Sequence, residues 1–148
     1  MFPNAKISEQ LAVLDAISPV SQAAGTVTTG WISAANFERY MALILTGVLG
    51  ASATLDAKLQ QATDSSGTGV KDVTGKSITQ VVKASGDAKQ VEINLRAEEL
   101  DTNGGFSYFR LSLTVGTAAS LVSAVVLGGV ARNLPASSLN AASVVQNI

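Results

Sequence analysis

Ala53-Thr54-Leu55-Asp56-Ala57-Lys58-Leu59-Gln60 sets an apolar side chain at every odd position and a polar one at every even position. Side chains on an extended backbone alternate between two faces, so this stretch reads as a strand with one face buried and one wet. Gly47 and Gly50 mark a turn before it, and Asp64-Ser65-Ser66-Gly67-Thr68-Gly69 marks a loop after it. The same grammar continues on both sides. Upstream, residues 26–33 are rich in β-branched Thr and Val and lead into Trp31 and Ile32. Residues 37–48 are almost wholly apolar after Arg39, the signature of a strand covered on both faces or against an external partner. Downstream, residues 70–73 form a short edge, 77–83 a further strand, and Ser85-Gly86-Asp87-Ala88 closes a hairpin. Val91, Ile93 and Leu95 then alternate with polar neighbours, as do Phe109, Leu111, Leu113 and Val115 after a polar bend at 101–105; residues 121–130 make the final strand. Seven or eight short strands joined by hairpins, with no helix between them, predict a mainly β chain. The expected body is an antiparallel β-sandwich or barrel over residues 25–132.

The flanks follow different rules. In residues 1–24, Ile7, Leu11, Leu14 and Ser18 recur at three-to-four spacing after Asn4, and Pro19 ends the pattern. That spacing suits a short helix, whereas Leu11, Val13, Ile17 and Val20 suit an extended arm; under either reading the segment is an arm separable from the β body. Residues 133–148 are rich in Ala, Ser and Asn and carry Leu139, Val144, Val145 and Ile148, which predicts a C-terminal tail ordered on a partner.

Composition narrows the chemistry. Among 148 residues, 47% are hydrophobic and 14% charged, against about 25% charged in an average soluble domain. The net charge of -1 leaves no excess of cations to neutralise phosphates or anionic lipid, so neither nucleic acid nor a membrane is an expected partner. The absence of Cys and His removes disulfides, thiol nucleophiles, imidazole and thiolate zinc sites, and the commonest general base. No catalytic residue, cofactor or metal is expected. The charge-free run from 111 to 131 is interrupted by Gly116-Thr117-Ala118-Ala119-Ser120 and splits into two β-branched strands rather than a membrane span. Lys6, Glu9 and Asp15 break up the segment where a signal peptide needs a clean apolar stretch, so the chain reads as a soluble protein made in a cytoplasm. So few solvating charges imply further surface buried in an assembly, either a homo-oligomer or a larger particle.

Four groups of residues invite a chemical reading. Glu98, Glu99 and Asp101 before Asn103-Gly104-Gly105 offer oxygen ligands for a calcium loop or a carboxylate pair for hydrolysis, yet they match the spacing of no established motif and fit a solvated bend. Residues 64–71 look faintly like a phosphate loop but lack its Gly-Lys-Ser/Thr ending. Trp31, Phe37, Tyr40, Tyr108 and Phe109 would serve as a stacking platform for a sugar or base or as packing anchors, and packing is favoured. Arg39, Arg96, Arg110 and Arg132 suit ion pairs within a sheet or across a subunit boundary equally well.

Three stretches together resemble small structural proteins encoded beside the major capsid gene of tailed bacteriophages. They are Ile7-Ser8-Glu9-Gln10 through Ser18-Pro19-Val20-Ser21 to Trp31-Ile32-Ser33; Ala53 to Asp64 with Gly67-Thr68-Gly69; and Phe106 to Val115 with Val125 to Arg132. The resemblance implies a head decoration or cement protein on the capsid surface of a virion, made in the host cytoplasm, with the major capsid protein and copies of itself as partners. A tail tube, tail completion or connector protein is the alternative, and a carbohydrate-binding β-sandwich module a more remote one. The residues expected to make contact are Ile7, Leu11, Leu14 and Ile17 in the arm, and Leu139, Val144, Val145 and Ile148 in the tail.

Overall fold

The alternation at residues 53–60 becomes a central strand of one of two antiparallel sheets. The computed structural model describes residues 3–148. In chain order it contains α1 (Ile7–Gln10), β1 (Leu11–Gln22), β2 (Gly25–Thr28), β3 (Ile32–Ser33), β4 (Phe37–Thr46), β5 (Thr54–Ala62), β6 (Lys71–Ser77), β7 (Val81–Val82), α2 (Lys83–Gly86), β8 (Gln90–Arg96), β9 (Tyr108–Gly116) and β10 (Ser120–Ala131). One sheet has the order β1-β10-β4-β8. The other has β2-β9-β5-β6, with β3 also on β9 and β7 also on β5.

Taking β2 with β3 and β6 with β7 as interrupted single strands reduces ten strands to eight. Their order is then first-eighth-third-sixth in one sheet and second-seventh-fourth-fifth in the other, the double Greek key of a jelly roll. Of the expected sandwich or barrel, the sandwich is what forms.

The core lies between the sheets. Leu55, Leu59, Leu111, Leu113 and Val115 enter it from one side, and Ile44, Val126 and Leu95 from the other, each at 2% exposure or less. Phe37, Tyr40 and Phe109 interlock at ring separations of 6.1 and 4.7 Å with near edge-on geometry. Each of these rings has its predicted packing role. The Tyr40 hydroxyl donates to the Phe37 carbonyl at 3.1 Å, which satisfies the one polar atom in the group.

The N-terminal segment departs from the expectation of an arm. Helix occupies only the turn Ile7–Gln10, and Leu11 already has extended dihedrals of φ -130 and ψ 137. From there the chain is β1, paired along β10 from Leu11↔Gly129 to Gln22↔Ser120. It belongs to the sheet. Register shifts between Val13 and Asp15 and between Ile17 and Val20 reset the alternation twice. Those shifts turn a period of two into apparent three-to-four spacing, which is why the sequence imitates a helix. The segment expected to close a hairpin at 85–88 also differs, because residues 83–86 form the single turn α2.

Candidate interface at the chain termini

Strand β1 lies beside β10, so the two ends of the chain meet at one edge of the four-stranded sheet. After Pro135 a short 3-10 turn, Ala136–Leu139, docks on this edge. Ala136 is fully buried and Leu139 packs on the core. The following residues act like a further strand: the Val13 amide donates to the Asn140 side-chain oxygen at 3.0 Å, and the Ala141 amide donates to the Val13 carbonyl at 2.7 Å. The first part of the expected tail is therefore held by the chain itself.

The eight residues expected at an interface separate into three groups. Ile17 is core at 6% exposure, and Leu14 and Leu139 pack against the core, so these three are structural. The bulges of β1 turn Leu14 and Ile17 inward, and the docked turn Ala136–Leu139 carries Leu139. Ile7, Leu11, Val144 and Ile148 come together around a shallow concavity of about 500 Å³ between α1 and the last residues. Val145 stands beside them in solvent. Ile7, Val145 and Ile148 are 77, 94 and 92% exposed, an unusual density of bare aliphatic groups at one corner of a small protein. Asn140, which anchors this corner, carries no signal in the sequence that separates it from its polar neighbours.

Most of the other candidate groups are engaged within the chain. Glu98 pairs with Arg96 at 2.9 Å, Glu99 with Lys76 at 2.9 Å and Asp101 with Lys71 at 2.6 Å. The Lys76 ammonium holds the Glu99 carboxyl below its ordinary range, and Lys71 does the same for Asp101. Glu99 and Asp101 are thus shifted away from the raised value that a general acid needs. In the 64–71 loop, the Asp64 carboxylate accepts from the Ser66 and Thr68 amides at 2.9 and 3.1 Å, so donors that would meet a phosphate already meet a carboxylate. Trp31 lies under the Arg110 guanidinium at 4.5 Å. A Cβ on Gly67 would come within 3.0 Å of three Trp31 ring atoms, so the indole is packed by its own chain rather than offered as a platform. Arg132 pairs with Glu38 at 3.1 Å. Among the described residues no group of three acidic, His or Cys side chains is placed to hold a metal ion, and no helix is long and apolar enough to cross a membrane.

No protein-family model matches the chain, and no curated protein matches it in sequence. Among solved structures, a chain of broad bean stain virus superposes with a TM-score of 0.47 at 11% identity, covering 85% of this chain and 88% of that one. The likeness is one of fold. A chain of infectious bursal disease virus strain Gx gives 0.49 at 13% identity over 86% of this chain and 34% of that one. A CBM4 structure gives 0.43 at 12% identity over 69% and 60%. These are similarities of β-sandwich architecture and carry no information about activity or partners.

Proposed function

We propose that this chain is a non-catalytic structural protein of a virion, a tailed-phage head decoration or cement protein that binds the lattice of the major capsid protein. The observation that supports this reading is the convergence of both termini on one corner, where Ile7, Val145 and Ile148 stand exposed at a concavity lined by Ile7, Leu11, Val144 and Ile148. A rigid sandwich with an apolar corner suits a protein that acts by docking. The mechanism is linkage: a protein that binds the assembled shell and not separated shell subunits stabilises the shell by mass action. Each fully covered aliphatic side chain contributes roughly 1.5–3 kcal/mol to such contact, and many copies on one particle multiply it. The chain would be made in the host cytoplasm and reside on the capsid surface.

Immunogold electron microscopy of purified particles tests the reading, using an antibody against this chain. Label distributed over the head is the expected result. Label confined to the tail or neck would transfer the protein to a tube, completion or connector role, and unlabelled particles would overturn the virion assignment. Ile7→Asp with Ile148→Asp is expected to leave the circular dichroism spectrum unchanged and remove the label from particles assembled in its presence.

A further inference from the structure

Asn103 is the only asparagine in the chain that precedes a glycine; every other one is followed by a residue that carries a side chain. Such a pair has a reaction open to it that needs no enzyme. The Gly104 amide, with no side chain beside it to obstruct the approach, loses its proton to hydroxide, and its nitrogen attacks Cγ of Asn103. The new carbon–nitrogen bond closes a five-membered imide, and the side-chain nitrogen leaves as ammonia. Water then opens the imide at either carbonyl, which leaves aspartate or isoaspartate at position 103.

The fold restrains this nucleophile. Asn103 lies exposed in the middle of the 3-10 turn Thr102–Gly104. The Gly104 amide donates to the Asp101 carboxylate at 3.0 Å and shares its proton with the Asp101 carbonyl at 3.1 Å. Both bonds must break before the nitrogen can turn toward Cγ, and a negative charge beside the N–H opposes removal of its proton. Asp101 is itself fixed from three sides. The Lys71 ammonium pairs with its second carboxylate oxygen at 2.6 Å, the Gln61 side-chain oxygen accepts from its amide at 2.8 Å, and the Phe106 amide donates to its carbonyl at 3.0 Å. Lys71 is in turn steadied 4.0 Å above the Phe106 ring.

We propose that Asn103-Gly104 is a site of spontaneous deamidation whose rate is set by the Asp101 cap. While the cap is closed the amide persists, and each local opening that frees Gly104 exposes Asn103 to conversion. The change runs one way because the ammonia is lost. It takes the net charge of the chain from -1 to -2, at a bend that already holds Glu98, Glu99 and Asp101. The isoaspartate form also lengthens the backbone by one carbon, which carries the Gly104 amide away from its cap and keeps the turn from closing again.

Peptide mapping by mass spectrometry of the full chain incubated at neutral pH, with isoaspartate resolved by chromatography, tests the proposal. Position 103 is expected to convert ahead of every other asparagine. The folded chain should convert about tenfold more slowly than the same chain in denaturing urea, the factor that one charge-assisted hydrogen bond commands. Asp101→Ala should remove most of this protection in the folded chain and change nothing in urea, whereas Asp101→Ser, which keeps a capping oxygen, should retain it. Lys71→Ala, which loosens the cap without removing it, should fall between, and circular dichroism shows that each variant is folded. Equal rates in the folded and unfolded wild type overturn the proposal, as does a folded Asp101→Ala chain that converts no faster than the wild type. Earlier conversion at another asparagine overturns it too.

Discussion

Asn140 supplies Val13 with the hydrogen bond that an outer neighbouring strand would otherwise give. Its side-chain oxygen accepts from the Val13 amide at 3.0 Å, and the adjacent Ala141 amide returns a bond to the Val13 carbonyl at 2.7 Å. An edge strand with unpaired backbone groups is a template for unwanted pairing. Here the chain closes part of its own edge, and Pro19 and the two register shifts protect the rest. Replacing Asn140 by Ala removes one acceptor from a partly buried amide and should cost about 1 kcal/mol, measured as a lower urea midpoint at constant slope. Deleting residues 142–148, which are mostly exposed, should leave that midpoint unchanged.

Deleting residues 1–24 should prevent folding. The deletion removes β1, exposes the pairing edge of β10 from Ser120 to Gly129, and strips Ala12 and Ile17 from the core. Loss of the β-sheet circular dichroism signal or insolubility is the expected outcome. A truncated protein with the native spectrum would show that β1 contributes nothing essential.

Gly128→Ala should destabilise by about 1–3 kcal/mol through overpacking. A Cβ there would lie 2.8 Å from the Phe37 ring and 2.9 Å from the Leu14 side chain, both packed against the core. Combining it with Leu14→Ala should recover part of the loss, and a thermal denaturation series of the two single variants and the double variant reads the coupling.

Stability should be level across neutral pH and fall at both extremes. With no His in the chain, nothing with an ordinary value titrates between pH 5 and 8 except a chain terminus. Asp87 is held low by the Leu49 amide and then by Lys83, and Asp72 by Lys58. A carboxyl depressed in the folded state contributes stability that is present above its unfolded value near 4 and is lost as pH falls through the folded value. Burial pushes the Tyr40 hydroxyl from 10.0 to about 12, so its contribution is lost as pH rises between those values. Melting temperature against pH checks both arms, and Tyr40→Phe should flatten the alkaline one.

The body of the fold was legible because its strands keep strict alternation and its connections are short. Leu55 to Leu59 and Leu111 to Val115 point where their spacing says they must. β1 was not legible, since two register shifts within twelve residues defeat any test for a period of two. The same cause misassigned Leu14 and Ile17 to an interface. The turn at 83–86 was hidden for a different reason: the Thr46 hydroxyl binds the Gly86 and Lys89 carbonyls from across the chain, a long-range contact that no local pattern announces. At the termini, sequence picked out the aliphatic residues but not which of them the fold would consume. Four of them line one concavity only because β1 and β10 are neighbours.

The position of β10 has a consequence for biosynthesis. It is the last strand in sequence and sits between β1 and β4, the first and third strands of the eight-strand scheme. A ribosome therefore makes β1 and β4 long before the segment that joins them exists. Until Ser120–Ala131 emerges, β1 has no ladder to enter, and the apolar flanks of β4 wait uncovered. The sheet is completed by pairings of long range, from Leu11↔Gly129 to Gln22↔Ser120, which slows folding and leaves aggregation-prone surface open in the interval. Release of the nascent chain into a crowded cell is thus its most vulnerable moment, and holding by a chaperone at that stage should raise the yield more than any substitution in the finished core.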